Sequence, residues 1–228
     1  MIKELLYRIQ HRLLKLRLQP IRVFCLHHVC ETFDVESMYE CDWMQIDEFK
    51  NKVSSMQKGG VEFISLTEAY KHICKDWFRY KNYAVLTFDD GYTTLKEILP
   101  WLKEQRIPVT LFINGKYLDG KSYRKNPNEK YLTNEELFSL TSPLIEIGSH
   151  GWKHTDASKM SVNELKLSIE QNIELLHAHP CYIPFHAYTW GKHNGVTDTI
   201  LQSKNIIPVY MDGMSNYSDF KVIHRELL

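Results

Sequence analysis

The segment AVLTFDDGY (residues 84–92) joins a continuous apolar run to two adjacent carboxylates. Within the run Ala84–Phe88, apolar and polar residues do not alternate as they do in a half-exposed strand. Uninterrupted apolar runs of this length are typical of parallel strands, because both faces of such strands are buried. The segment therefore predicts a central strand of a parallel sheet, with Asp89 and Asp90 at its carboxyl end.

Similar runs lie on both sides of this strand, in alternation with helical patterns. The other strand-like runs are Arg22–Leu26, Val61–Ile64, Ile107–Ile113, Leu144–Gly148, Tyr182–His186 and Ile206–Tyr210. The helical patterns cover Asp47–Gln57, Thr67–Lys75, Thr93–Gln105 with Pro100 as a kink or early stop, Asn134–Leu140, Ser161–His177 and Val196–Ser203. About seven alternations favour a parallel sheet with helices outside, either a barrel or an open doubly wound sheet. In both architectures, functional residues follow the carboxyl ends of the strands.

Histidines follow one of these strands. His150 and His154 come after Leu144–Gly148, and the intervening Gly151 favours a tight loop over a helix. Two imidazoles spaced in this way suit one metal ion, although a solvated loop would also accommodate them. With one aspartate of the Asp89-Asp90 pair they suit zinc, and also cobalt, nickel, manganese or iron(II). The other aspartate is then available as a general base.

Two motifs resemble those of a known family. Residues 87–92, TFDDGY, resemble the first motif of the polysaccharide deacetylases, the NodB-homology group or carbohydrate esterase family 4, and residues 149–155, SHGWKHT, resemble the second. The resemblance implies a distorted (β/α) barrel of about seven strands. It also implies site residues, namely Asp89 as the catalytic base and a divalent metal, most often zinc, held by Asp90, His150 and His154.

The segment His27-His28-Val29 resembles the Y-H-x-V segment that opens the rotated branch of the family, to which the bacterial poly-N-acetylglucosamine deacetylases belong. Leu26 stands where tyrosine is usual. The resemblance implies that His27 protonates the leaving amine, which suits a histidine at a strand end. The alternative is an ordinary buried or surface histidine pair, and His28 receives no role.

The third motif departs from the family pattern. The segment HAYTWG resembles F-A-Y-P-Y-G, with Thr189 in place of proline and Trp190 in place of tyrosine. Because the implied oxyanion donor is the backbone N–H of Trp190, a change of side chain need not remove it. Ala187 stands where the wider family has an arginine that orients the catalytic aspartate, and Arg225 is a candidate replacement.

The aromatic side chains of Tyr188 and Trp190 are candidate stacking surfaces for a sugar ring. They are equally compatible with ordinary core aromatics.

Composition restricts the partners and the compartment. Lys plus Arg and Asp plus Glu both number 28, which leaves no net-charge argument for nucleic-acid binding. The 5 cysteines form no C-x-x-C pair, which suits a reducing compartment. Residues 1–20 predict a basic amphipathic helix, either docked on the catalytic domain of residues 21–228 or in peripheral contact with an anionic membrane through residues 1–18. Because charges interrupt the apolar clusters of this segment, we do not expect a signal peptide here. We expect a cytoplasmic protein, either free or associated with the membrane.

These observations favour a metal-dependent hydrolase that removes an N-acetyl or other acyl group from an amino sugar or glycan. One alternative is a deformylase or amidase that acts on a small or lipid-linked sugar amide. Another is a homologue that binds an N-acylated carbohydrate without turnover.

Overall fold

The computed structural model describes residues 19–32, 43–75, 81–122, 130–217 and 222–228. Their strands are β1 (Arg22–Leu26), β2 (His28–Cys30), β3 (Trp43–Gln45), β4 (Val61–Phe63), β5 (Asn82–Asp90), β6 (Val109–Ile113), β7 (Ile145–Ser149), β8 (Tyr182–Ala187), β9 (Ile207–Met211) and β10 (Ile223–Leu227). Their α-helices are α1 (Ile46–Lys58), α2 (Leu66–Lys75), α3 (Leu95–Glu104), α4 (Asn134–Ser139), α5 (Val162–His177) and α6 (Gly195–Ser203).

Seven parallel strands form a closed barrel. The order is β1-β10-β9-β8-β7-β6-β5, and β5 pairs back to β1 in the register Arg22↔Ala84 to Leu26↔Phe88. The short strand β4 pairs with the first residues of β5, and β2 and β3 form a separate parallel pair. The distorted (β/α) barrel that the sequence predicts is therefore confirmed.

Alternate residues of the strands fill the barrel. One buried cluster contains inward-facing side chains of several strands, among them Val23, Val85, Phe112, Phe185, Val209 and Ile223. The alternate residues of β5, such as Leu86 and Phe88, face the other side of the strand. They belong to a second buried cluster, which also contains the apolar face of α3. The strands are thus buried on both faces, which explains the continuous apolar run from which the fold was predicted.

Helix α2 packs against the interior cluster at the amino ends of the strands. Its residues Leu66, Ala69 and Ile73 belong to that cluster. The carboxylate of Glu146 on β7 accepts the backbone N–H of Leu66 at 2.8 Å and the hydroxyl of Thr110 at 3.1 Å. An acidic side chain at a helix N-terminus satisfies free N–H groups and complements the helix dipole. This end of the barrel is thereby closed, which leaves the carboxyl ends of the strands for the site.

Most predicted elements are confirmed within a few residues, and α4 and α5 each begin at a capping box, at Thr133 and Ser161. The suggestion of an early stop at Pro100 is wrong, because α3 continues to Glu104 with its apolar face buried. Strand β10 was not predicted. Its sequence places His224 and Arg225 inside the strand, so no apolar run marks it.

The predicted amphipathic helix lies outside the described residues, which begin at Gln19. Among the residues that the structure describes, no helix has both the length and the apolar character needed to cross a bilayer.

Candidate active site

The backbone at the end of β5 brings both aspartates to one pocket. Successive residues of a strand face opposite sides, so Asp89 and Asp90 would normally diverge. Asp90, however, has a positive φ of 71°, and Gly91 follows with a φ of 85°. This left-handed turn interrupts the alternation, and both buried carboxylates line the same pocket. Aspartate tolerates this conformation better than most residues, and glycine adopts it without steric cost.

The loop after β7 places two imidazoles over Asp90. The Nε2 atoms of His150 and His154 lie 3.5 Å and 3.3 Å from Oδ1 of Asp90. Gly151 has a φ of 82°, so the two histidines lie on the predicted loop and not on a helix. One donor atom from each of the three residues lies within 4.8 Å of the others.

These distances suit a divalent cation. In a tetrahedral site with bonds of about 2.0–2.1 Å, neighbouring N and O ligands are about 3.3 Å apart. Two imidazole nitrogens and a carboxylate also form the donor set of catalytic zinc sites, in which one position remains for water or substrate. Burial would raise the pKa of Asp90, but the pKa is lowered on balance because His154 and His150 favour the carboxylate. The residues therefore fit a metal centre.

A backbone contact fixes the orientation of His150. Its Nδ1 lies 2.7 Å from the carbonyl oxygen of Ala187 at the end of β8. Since a carbonyl only accepts, Nδ1 must donate, and in the neutral ring the lone pair is on Nε2, which faces Asp90. Such outer contacts set the tautomer of metal-binding histidines.

Three buried polar side chains, those of Asn114, Asn172 and His186, hold the loop that begins at Ser149. Asn172 of α5 donates to Oγ of Ser149 and to the carbonyl of Ile113, both at 2.8 Å. Asn114 donates to the carbonyl of His150 at 2.6 Å. His186 places Nδ1 3.0 Å from Oγ of Ser149, and burial lowers its pKa to about 3 with a contribution from the His150 ring. The network ties the ends of β6, β7 and β8 to one another beneath the metal ligands.

Asp89 is held by an arginine from the last strand. Nη1 of Arg225 lies 2.6 Å from Oδ1 of Asp89, and Nη2 lies 2.9 Å from Oδ2. Nη1 also donates to the hydroxyl of Thr87 at 3.0 Å, and the guanidinium lies over the ring of Phe112. In the wider family, the arginine that orients the catalytic aspartate stands at the position of Ala187. In this protein Arg225 contacts that aspartate instead.

Opposing effects set the ionisation of Asp89. Burial raises the pKa of its carboxyl group, whereas the charge and hydrogen bonds of Arg225 lower it, with help from His150 and His27. The lowering prevails, so the group is a carboxylate in the neutral range. Arg225 is itself 1% exposed. Burial lowers the pKa of its guanidinium, but the negative charge and hydrogen bonds of Asp89 raise that pKa on balance. Asp89 is therefore in the ionised form that a general base requires, and its lowered pKa makes it a weaker base than a free carboxylate.

Strand β1 brings two further groups to Asp89. Cys25 pairs in register with Thr87, and its Sγ lies 3.5 Å from Oδ2 of Asp89. His27 follows the end of β1, and one of its ring nitrogens lies within 4.8 Å of donor atoms of Cys25 and Asp89. The predicted acid and base are therefore close together. Cys25 was not predicted as a site residue. It lies two positions after the inward-facing Val23, and because alternate strand residues face the same side, this spacing could have placed it inside the barrel.

His28 lies in the wall of the pocket. It is buried, its ring stacks on Tyr92 with centroids 4.0 Å apart, and Nδ1 lies 3.0 Å from Oγ1 of Thr94. These contacts fix the wall on the side of β2.

The third motif supplies the opposite wall. Trp190 has a positive φ of 59° and is 54% exposed, and its ring lies edge-to-face with that of His154, with centroids 4.6 Å apart. Tyr188 is 1% exposed and donates its hydroxyl to Asp198 at 2.8 Å. Trp190 is therefore well placed to contact a ligand, whereas Tyr188 supports the wall from behind. The oxyanion role of the Trp190 N–H stays a prediction.

The pocket has a volume of about 260 Å³ and opens at the carboxyl end of the barrel. It brings together every predicted site residue, namely His27, Asp89, Asp90, His150, His154, Tyr188 and Trp190. It also includes Cys25, Tyr92, Met211 and Arg225, which come from β1, the turn after β5, β9 and β10.

A closed parallel barrel with an Asp-His-His group and a second buried carboxylate at its carboxyl end defines the class of this protein. The polysaccharide deacetylase model matches residues 79–206, more than half of the chain. The chain therefore belongs to the polysaccharide deacetylase family.

Solved structures share the fold. IcaB from Ammonifex degensii is 19% identical with a TM-score of 0.74, over 92% of this chain and 94% of that one. A de-N-acetylase from Aggregatibacter actinomycetemcomitans is 17% identical with a TM-score of 0.76, over 92% and 95%. The Streptococcus pyogenes deacetylase PplD, solved with acetate, is 18% identical with a TM-score of 0.78, over 92% and 93%. No curated protein sequence matches this chain at a significant level.

Proposed function

We propose that this protein is a metal-dependent de-N-acetylase that hydrolyses the acetamide group of an N-acetylated sugar or glycan. The observation that carries the proposal is the pair of adjacent, differently held aspartates. Asp90 faces two imidazoles at metal-ligand spacing, whereas Asp89 faces Arg225 and the pocket. One aspartate is thus suited to bind a cation and the other to accept a proton.

The metal would be held by Asp90, His150 and His154. A divalent cation in this site supplies a Lewis acid that polarises the amide carbonyl and makes a water molecule more acidic. Zinc suits the donor set, and cobalt, nickel, manganese and iron(II) are further candidates.

The remaining steps belong to side chains of the pocket. Asp89 removes a proton from the attacking water, and Arg225 keeps the carboxylate oriented during this transfer. The backbone N–H of Trp190 stabilises the negative charge that develops on the carbonyl oxygen. His27 then donates a proton to the departing nitrogen, which leaves acetate and a free amine.

The structural neighbours support this substrate class. Two of them are a de-N-acetylase and a deacetylase solved in complex with acetate. The reactive groups also argue against a homologue that only binds glycan, because glycan binding does not require a second carboxylate, that of Asp89, in the pocket beside the metal-ligand group.

The test is release of acetate from N-acetylated sugar oligomers of different lengths, with the metal-loaded protein and its Asp89→Asn variant. We expect equal amounts of acetate and free amine from the wild type and none from the variant, which should still bind metal. Absence of acetate with every candidate metal would refute the proposal. Formate released from N-formyl sugars alone would favour a deformylase.

A further inference from the structure

A second group of metal-binding donors lies beside the first. Donor atoms of Cys25, His27 and Asp89 lie within 4.8 Å of one another, and none of these residues belongs to the group around Asp90. The two groups adjoin, since Oδ2 of Asp89 lies 3.8 Å from Nε2 of His150. All three donors line the open pocket, so an ion from solvent can reach them.

The spacing of sulfur and oxygen matches that of a shared ion. Sγ of Cys25 lies 3.5 Å from Oδ2 of Asp89. In a tetrahedral zinc site, with Zn–S of about 2.3 Å and Zn–O of about 2.0 Å, these two ligands are also about 3.5 Å apart. Arg225 takes one hydrogen-bonding position of Oδ2, and a carboxylate oxygen has two lone pairs. The other lone pair accepts the S–H of Cys25, so it becomes available to a cation when the thiol loses its proton.

We propose that Cys25, His27 and Asp89 form a second cation site, which takes a thiolate-seeking divalent ion such as Cd²⁺ or excess Zn²⁺. Binding replaces the S–H bond of Cys25 with a sulfur–metal bond and releases the proton to water. Thiolate, imidazole and carboxylate together select soft and borderline ions over Mg²⁺ or Ca²⁺.

This site is weaker than the one at Asp90 and fills after it. The positive charge of Arg225 lies against Asp89, and a metal ion at the first site would add further repulsion. Burial also raises the pKa of the Cys25 thiol well above its ordinary value, although Arg225 opposes this effect, so the cation must displace a firmly held proton. The first equivalent of metal therefore goes to Asp90, His150 and His154.

Occupation of the second site has a functional consequence, which rests on the proposed function. An ion bound to Asp89 and His27 would occupy both the base and the acid. Activity should then rise with the first equivalent of zinc and fall in excess zinc.

Binding is tested without turnover by titrating the metal-free protein with Cd²⁺ and recording the ultraviolet thiolate-to-cadmium absorption. The variants are Cys25→Ala and the near-isosteric Cys25→Ser, and the matched control is Cys74→Ala, which removes an exposed thiol on α2. Normal binding of the first equivalent shows that each variant is folded around the first site.

We expect the absorption to appear with the second equivalent in the wild type and in Cys74→Ala, and to vanish in both Cys25 variants. Loss of an outer-shell partner typically weakens metal binding about 10- to 100-fold. Loss of Cys25, which is itself a ligand, should weaken binding of the second equivalent at least as much. An unchanged absorption in the Cys25 variants, or one that depends on Cys74, would overturn the proposal. Because this measurement needs no substrate, its result is separate from that of the acetate assay.

Discussion

Arg225 and Asp89 form a buried two-point ion pair that joins the last strand of the barrel to the end of β5. The two contacts measure 2.6 Å and 2.9 Å, and the side chains are 1% and 4% exposed. Strand β10 also pairs with β1 and thereby closes the barrel. The strand that completes the barrel therefore also carries the residue that orients the proposed base.

Loss of Arg225 should destabilise the protein strongly. In Arg225→Gln the carboxylate of Asp89 remains buried without its counter-charge, and breaking such a pair costs about 3–5 kcal/mol of unfolding free energy. Urea denaturation measures this loss. The control is Arg22→Ala, which breaks the half-exposed contact of Arg22 with Glu226 at 2.8 Å and should cost less than about 1 kcal/mol. Equal costs for the two variants would show that Arg225 has no special structural role.

The same substitution should move the acid side of the pH profile. Arg225 holds the pKa of Asp89 below its ordinary value against the opposing effect of burial, so its removal raises that pKa. Since the base acts as a carboxylate, activity is lost as the pH falls through this pKa. The acidic limb of kcat/KM in Arg225→Gln should therefore lie at higher pH than in the wild type and in Arg22→Ala. An acidic limb that stays in place would contradict the assignment of Asp89 as the base.

Asn172 should matter for metal affinity, although it is not a ligand. It positions Ser149 and the end of β6 by two hydrogen bonds of 2.8 Å, and it accepts the N–H of Gly115 at 2.7 Å. We expect Asn172→Ala to weaken zinc binding by about 10- to 100-fold, as loss of outer-shell contacts does. Competition with a chelating dye measures this. Asn163→Ala, at an exposed position on the same helix, should bind zinc normally, and similar affinities in both variants would exclude a positioning role.

Trp190 allows the side chain and the backbone to be tested separately. Trp190→Gly removes the exposed indole but keeps the N–H, and glycine adopts the positive φ of 59° without strain. If the ring only binds substrate, KM should rise about 2- to 10-fold, as expected for a contact of about 0.5–1.5 kcal/mol, with kcat nearly unchanged. Steady-state kinetics on a soluble oligomer decide this. A large fall in kcat at constant KM would show that the ring takes part in the chemical step.

The metal-ligand group was accessible from the sequence because its members follow strand ends. In a parallel barrel all such ends meet on one face, so Asp90, His150 and His154 were expected to lie close together. The left-handed turn at Asp90 could not be foreseen, since nothing in the residue type requires it. Without that turn, only one of the two aspartates would face the pocket.

Residues that act through buried polar contacts were harder to find. Asn114 and Asn172 carry no motif, and only the fold shows that both are fully buried beneath the His150 loop. Strand β10 was missed for a related reason, because its charged residues are buried by partners that are distant in sequence. His224 meets Asp212 at 2.7 Å and Arg225 meets Asp89, and neither pairing follows from local patterns.

The most direct test of the proposed function is a joint titration of metal content and acetate release. Metal-free protein is supplied with increasing zinc, and bound zinc and acetate released from an N-acetylated oligomer are measured in the same samples. We predict that both rise together and that activity is greatest at one bound ion per chain, with His154→Ala losing both and the exposed His177→Ala losing neither. Acetate release that is complete without bound metal, or bound metal without acetate release, would contradict the account.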